Sequence, residues 1–511
     1  MKKRFLTLVL VTVLLFLTGC NQKKVNEVSL HYDAIKQETL EPVELQFYTQ
    51  GTAPSFGKEA IEGMLKQIGE ATRETINVTP VFNWVAYEKY DMQIPQMIAS
   101  GEKIDAFTCF SPQPYVDQKL CMDVTDSFKQ YAPTYSNELM TNQVGKDYLT
   151  NSIVDGKLYV IPYNAIRNPR ICVVTKADLA AKYAPEGLET LEDYGEFLRK
   201  LKENEPKLTP GTMYAFEFFQ AYLEGNGYYS NWNSLLYAKW EENGKTMYAI
   251  EQTPEFADAF ELILLWKNNG YVLKNNQQGS QLQMQSGLLG SQLIYMENLK
   301  DLFTYDYGSG DQQLKVIPLY MQSLHLLNTS PRGLAISQSC SNPERVMMFL
   351  EWLHGSQENY DLFMYGQEGV NYTLNNGNMA LTKLEIQPLD YWRYYGAAFF
   401  EDYRYERYVT GMDPELQKIY QDSSFKNVKT NTELEKEMKS MLEIGQEELD
   451  EMEKETPQLE AIMDAYFNLY DRFTQSIDSG VFNIMLGELK EKQKEAGIEK
   501  VLEYYRRIMG F

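Results

Sequence analysis

The chain is 511 residues long, with 44% hydrophobic and 23% charged residues, a globular balance with length for two or three domains that each bury a core. A formal charge of −23 repels phosphate backbones and argues against nucleic acid as a partner. Three histidines, and five cysteines without a C-x-x-C pair, supply no ligand set for structural zinc; no metal or other cofactor is expected.

Lys2, Lys3 and Arg4 precede an apolar run of 13 residues from Phe5 to Leu17. As a helix that run spans roughly 20 Å against a hydrocarbon core of roughly 30 Å, so residues 1–19 are expected to be a cleaved export signal and not a permanent span. Leu17-Thr18-Gly19-Cys20 resembles the lipobox of bacterial lipoproteins. The resemblance implies that Cys20 is lipidated and becomes the mature N-terminus, with 20–41 as a polar tether and the acyl chains holding the protein on the extracellular side of the cell membrane. Loss of the three basic residues takes the charge from −23 to −26, so membrane contact is expected through lipid and not through a basic face. Cys109, Cys121, Cys172 and Cys340 are expected as buried free thiols, with a Cys109–Cys121 bridge as the alternative.

Beyond the tether, strand and helix patterns alternate. "VELQFY" (43–48) sets Val43, Leu45 and Phe47 on one strand face, and Ile61, Met64, Leu65 and Ile68 recur at helical spacing. "INVTPVF" (76–82) and "KIDAFTCF" (103–110) read as further strands, with a helix between them over about 87–100. This βαβαβ opening predicts a mostly parallel sheet covered by helices. In "DGKLYVIPYN" (155–164) a charged turn leads into strand formers that stop at Pro162, which removes a ladder donor and suits a chain leaving one sheet for another. "TLEDYGEFLRKL" predicts a helix capped by Thr190 with Asp193 in the capping box and Leu191, Tyr194, Phe197, Leu198 and Leu201 buried. "GLAIS" (333–337) reads as a strand, followed by a helix with Asn342 as cap, Pro343 at its first position, and Val346, Met347, Leu350 and Leu353 facing the sheet. From about 401 the chain turns to long charged helices. "PQLEAIMDAYFNLYDRFTQSI" carries a broad apolar stripe, while that of "TELEKEMKSMLEIGQEELDEMEKE" is thin, as on a solvated helix.

No common catalytic pattern is present: no G-x-S-x-G, H-E-x-x-H, G-x-x-x-x-G-K-[ST] or G-x-G-x-x-G. His31, His325 and His354 stand apart, and 71 acidic residues make any proposed glycosidase carboxylate pair uninformative without a fold. Aromatic content does stand out, with 37 tyrosines and 6 tryptophans. Such rings present an apolar face to sugar C–H groups and a polar edge to hydroxyls, although most rings in any protein fill cores. "GNGYYSNWNSLLYAKW" (225–240), mixing aromatics with Gly, Asn and Ser, reads as a polar recognition surface.

"GEKIDAFTCF", "DGKLYVIPYN", "GLAISQSCSNPERVMMFLEWLH" and "YGQEGVNYTL", in that order after a lipobox, resemble the extracellular solute-binding lipoproteins of ABC importers related to maltose-binding protein. "LKEKQKEAGIEKVLEYYRRI" resembles the close of a long Gram-positive branch of that family, from which the charged insert at about 401–480 departs. The resemblance implies an α/β, two-lobed periplasmic-binding-protein-like (type II) fold with hinge crossings and a ligand cleft between lobes. Mapped onto this chain it gives an N-terminal lobe of 42–162 plus 297–328, a C-terminal lobe of 165–295 plus 331–400, and a helical extension over 401–511. Crossings are expected at Pro162–Ile166, near "LIYMEN" (293–298) and near "LNTSPRG" (327–333). The cleft candidates are Tyr163 and Asn164 at the first crossing, Glu297 and Asn298 at the second, Arg332 at the third, Trp84, Ser111 and Tyr115 after strands, and Trp232 and Tyr372 as stacking platforms. The same residue types serve as turn, cap and core residues, and that reading stands beside each.

The function implied is a monomeric, membrane-anchored receptor that closes on an oligosaccharide and delivers it to the permease subunits of an ABC transporter, with no bond broken. The alternatives are a receptor for peptides or another polar solute, with Arg332 and Arg167 or Arg170 for an anionic ligand, a surface glycosidase, and an adhesin or sensor.

Overall fold

The computed structural model describes residues 40–51, 58–165, 170–213, 215–230, 236–241, 244–272, 287–296, 314–323, 325–327, 332–375, 378–381, 392, 396–407, 428–430, 461–462, 465 and 482–509. The strands of its two main sheets are β1 (Val43–Gln50), β2 (Val78–Val85), β3 (Ala106–Cys109), β4 (Val160–Pro162), β5 (Ile171–Lys176), β6 (Ser291–Tyr295), β7 (Leu314–Pro318) and β8 (Gly333–Ile336).

The first sheet has the order β2-β1-β3-β8-β4. β1 runs parallel to β2 and β3, as the βαβαβ pattern predicts, whereas β8 is antiparallel to both β3 and β4. In β1, Leu45 and Phe47 face a core that also takes Ile61, Met64 and Ile68 from the helix Lys58–Ile76. Rings hold that core together: Phe47 stacks on Phe82 at 5.2 Å, and Phe82 meets Trp392 edge-on at 4.9 Å. Phe363 lies 5.1 Å from Phe400. On the other face Tyr90, Ile94, Phe107, Tyr115 and Val160 form a second layer.

The second sheet is antiparallel, in the order β6-β5-β7. The helix Leu191–Asn204 covers it and has the capping box expected of Thr190 and Asp193. The stripe Leu191, Tyr194, Phe197, Leu198 and Leu201 is buried in one core with Phe218, Phe219, Phe256 and Trp266. The strands Tyr228–Ser230, Leu236–Glu241 and Gly244–Ala249 form an adjoining antiparallel sheet. Tyr228 and Tyr237, read from sequence as part of a recognition surface, are each 1% exposed and belong to this core. The described Asn226-Gly227 before them is the turn from the helix Ala215–Gly225 into the strand Tyr228–Ser230.

Strand pairing corrects the expected lobe boundaries. β8, assigned in sequence to the C-terminal lobe, lies between β3 and β4 of the first sheet, and the helices Pro343–His354 and Gln357–Tyr365 pack on the same core. β7, assigned to the N-terminal lobe, pairs with β5 of the second sheet. "LIYMEN" is therefore no crossing through its described part, because β6 and the next strand of this sheet flank one neighbour, β5. The chain crosses between Pro162 and Ile171, and again between Leu319, whose amide bonds to Ile171 O, and Gly333. A further crossing follows Arg407, since the helices Phe482–Ala496 and Ile498–Met509 return Leu489, Ile498, Val501 and Leu502 to the second core. The described ends of the expected extension are thus built into the two bodies. Long-range pairing decides these memberships, and local pattern carries no signal of it. Most of the two charged helices read over 432–477 lies outside the described residues. So do Cys20 and the rest of the signal and tether up to residue 39.

Candidate functional site

The turn Asp155-Gly156 has φ of 50° and 77°, a left-handed pair that closes the small hairpin Ile153–Val154/Lys157–Leu158 and suits glycine at its second position. The chain then enters β4 and ends it at Pro162, whose carbonyl accepts the Tyr135 hydroxyl at 2.7 Å. The first crossing follows. Tyr163 N donates to Arg332 O at 3.3 Å, tying the first crossing to the start of β8. Asn164 forms a parallel bridge with Asp402. Asn164 N donates to Glu401 O, and Tyr403 N donates to Asn164 O, each at 2.9 Å. Three crossing segments thus converge.

The convergence is fastened by a buried polar cluster. The Asp402 carboxylate, 0% exposed, accepts Asn164 Nδ2 at 3.0 Å, Arg404 Nε at 3.0 Å and His354 Nδ1 at 3.1 Å. His354 stacks on Tyr135 with ring centroids 3.7 Å apart. Arg404 reaches on to Glu138 at 3.5 Å. Burial alone raises the Asp402 carboxyl, but the bonds from His354 and Arg404 outweigh it and hold the group below its usual range. Burial drives the His354 imidazole down against the pull of Asp402. The cluster is therefore a neutral imidazole donating to an ionised carboxylate, which ties the crossing segments together.

The crossings leave from one end of each sheet, and these are the ends at which the expected cleft would lie. At the first sheet the end consists of Thr49 and Gln50 on β1, Trp84 opposite Thr49 on β2, Phe110 and Ser111 after β3, and Arg332 before β8. Phe110 packs edge-on against Phe399 at 5.2 Å, and the Arg332 guanidinium lies over the Phe110 ring at 6.0 Å. At the second sheet the corresponding end carries Arg170, Tyr295 and Tyr320. Arg170 Nη1 donates to Tyr320 O at 3.3 Å. Burial brings its guanidinium down to about 10, with Glu224 opposing the shift. Glu224 accepts Gln220 Nε2 at 2.8 Å, and Tyr295 donates its hydroxyl to Gln220 Oε1. The arrangement offers hydroxyls, amides and ring faces. Among the described residues no group of three His, Cys, Asp or Glu side chains is placed to hold a metal ion.

The sequence candidates divide on this geometry. Trp84, half-buried, exposed Ser111 and half-buried Arg332 stand at the same end of the first sheet. Tyr163 is 2% exposed and packs 5.8 Å from Tyr148, and Asn164 gives its amide to Asp402. The residues expected as the cleft floor are hinge residues here. Tyr115 is buried against Phe107 at 4.9 Å, on a sheet face and not at its end. Tyr372 starts a short hairpin strand and is buried beside Tyr365 at 6.3 Å in the first core. Burial, with the Asp361 carboxylate nearby, pushes its hydroxyl up to about 12. Trp232, Glu297 and Asn298 lie outside the described residues. Cys109, Cys121, Cys172 and Cys340 are free and buried, so the thiol reading holds and the Cys109–Cys121 bridge does not. Thr49, Gln50, Phe110 and Phe399 also stand at or beside that sheet end and were not among the sequence candidates. A signal for the first existed: Thr49 takes the core-facing position after Leu45 and Phe47 and is polar.

A model of the family of bacterial extracellular solute-binding proteins matches residues 64–372, more than half the chain. A carbohydrate ABC transporter substrate-binding protein of Streptococcus pneumoniae serotype 4 is 19% identical over 336 residues, covering 64% of this chain and 65% of that protein. The chain thus matches just under two thirds of that relative's length. Among solved structures, an N-glycan transport solute binding protein from Streptococcus pneumoniae superposes with a TM-score of 0.64 at 14% identity, over 92% of this chain and 98% of that one. An alginate-binding protein gives 0.60 at 16%, over 92% and 98%. A Streptococcus pneumoniae ABC-transporter substrate binding protein in complex with kestose gives 0.58 at 15%, over 91% and 99%. At such identities these likenesses show the fold, which is the two-domain periplasmic-binding-protein-like one. With two sheets joined by a fastened set of crossings and the family match running through both, the chain belongs to the bacterial extracellular solute-binding proteins.

Proposed function

We propose that this protein is the membrane-anchored substrate-binding component of an ABC importer, taking an oligosaccharide into the cleft between its two bodies and delivering it unaltered to the permease. The observation that carries the ligand class is the cleft end of the first sheet. There the half-buried rings of Trp84, Phe110 and Phe399 stand beside the neutral polar groups of Thr49, Gln50 and Ser111, and such pairs of ring face and hydrogen-bonding edge suit a sugar. Solved relatives of this fold carry Man1GlcNAc, Man5GlcNAc or kestose, which supports the same class. Ligand held by both bodies favours the closed arrangement over the open one, and binding alone shifts the population. Anchoring rests on the lipobox-like Leu17-Thr18-Gly19-Cys20; a Cys20→Ser chain is expected in the medium and the native chain in the membrane fraction.

The test is a thermal-shift screen of the lipid-free protein against neutral and acidic oligosaccharides and a peptide pool. A ligand at 100 times its dissociation constant stabilises by about 2.7 kcal/mol, a shift of a few degrees for domains of this size. A shift with peptides and none with any sugar would reject the carbohydrate reading.

A further inference from the structure

We propose that Thr49 and Gln50 form a glycan subsite, in which ligand hydroxyls pair with Thr49 Oγ1 and Gln50 Oε1. This rests on the oligosaccharide reading above and narrows it. Along β1 the buried positions alternate, with Leu45, Phe47 and Thr49 toward the first core and Tyr48 and Gln50 on the opposite face. The strand therefore ends in two polar side chains, one on each face, that are only 2% and 7% exposed. Neither Thr49 Oγ1 nor Gln50 Oε1 has a hydrogen-bond partner.

Elsewhere on the same sheet, buried polar groups are paired. The Tyr90 hydroxyl lies 2.9 Å from Thr108 O, and Thr108 Oγ1 lies 2.7 Å from that hydroxyl. Asp105 accepts Gln46 N at 2.7 Å. Buried polar atoms without partners are rare in folded chains and mark places with another use. Two adjacent ones at the cleft end of a central strand, with Thr49 in register with Trp84, point to a partner that arrives with the ligand.

The chemistry of that partner follows from the acceptor. The Gln50 carbonyl is satisfied by O–H or N–H, and the Thr49 hydroxyl both donates and accepts, so a group that does both, such as a sugar hydroxyl, fits the pair. Sites built on buried hydrogen-bonding groups discriminate strongly against ligands that leave those groups unpaired.

Titration calorimetry of lipid-free protein with Man1GlcNAc, kestose and an alginate oligosaccharide, on the native chain and on Gln50→Met and Thr49→Val, tests the proposal. At least one of the three probes is expected to bind the native chain. Each variant should weaken the neutral sugar about 10-fold, while its sugar-free melting temperature stays level or rises, because an unpaired buried polar group has been removed. Variants that bind a neutral probe within twofold of the native chain overturn the subsite and leave the oligosaccharide reading standing. So does loss of binding accompanied by a fall in sugar-free melting temperature, which assigns the two residues to folding. Where alginate binds in place of a neutral sugar, the same two outcomes are read on the variants with that probe. No binding by any of the three probes overturns both.

Discussion

Asp402 carries the hinge cluster. It is fully buried, and Asn164, Arg404 and His354 are all arranged around its charge. Asp402→Asn keeps the shape and removes that charge, leaving Arg404 without its closest counter-ion, and should cost about 3 kcal/mol in urea unfolding. A loss under about 1 kcal/mol would mean that Glu138 suffices for Arg404. The same cluster predicts a pH dependence. The folded-state values of both His354 and Asp402 are depressed, so the unfolded chain binds protons more readily than the folded one. The stability they contribute is complete above the unfolded histidine value of about 6.5 and declines as the pH falls below it. The imidazole is faced by Tyr135, Asp402, Arg404 and, more distantly, Glu351. Melting temperature should fall between pH 7.5 and pH 5, and by less in His354→Gln; an equal fall in both would assign the effect to other groups. Pro162 as a strand end was legible in sequence because its effect is local. The role of Asn164 was not, since its partner lies 238 residues away.

At the scale of elements, β8 shows what a local pattern conveys. "GLAIS" announces a strand, and a strand forms over Gly333–Ile336. Its place between β3 and β4 depends on a close backbone approach at Gly333, where an added Cβ would fall on the Ile161 carbonyl and 2.7 Å from Pro162 Cα. Gly333→Ala should therefore destabilise by about 2 kcal/mol through overpacking between strands, read by denaturant midpoint; a neutral substitution would show that β4 can shift away. The helix after β8 behaves similarly. Pro343 occupies its first position as expected, yet Asn342 makes no side-chain capping bond, and the helix is buried on more than the one face its spacing suggested. Among the described residues the aromatic content goes largely into packing, in clusters such as Phe47, Phe82, Trp392 and Phe400 of the first core.

For the whole molecule, the sequence made two α/β bodies and a crossing after Pro162 legible, because helical and strand periods and the family motifs run in chain order. It did not reveal which body each later segment joins, which is decided by pairings such as β7 with β5 and by burial of the chain's end. Leu502, 0% exposed in the second core, tests that last point. Leu502→Ala should cost about 3 kcal/mol and lower the unfolding transition of the second body, whereas an appended helix would lose a few tenths. Trp84, Ser111 and Arg332 were recoverable as residues of one sheet end because they flank strand ends, while Tyr163 and Tyr372 were lost to burial that only the assembled cores produce. Binding without chemistry is tested most directly by native mass spectrometry of the lipid-free chain incubated with a mixture of neutral oligosaccharides. One intact glycan per chain, recovered at its starting mass, is the expected result. A chain that emerges without sugar, or a mixture in which glycans have been shortened, would contradict it.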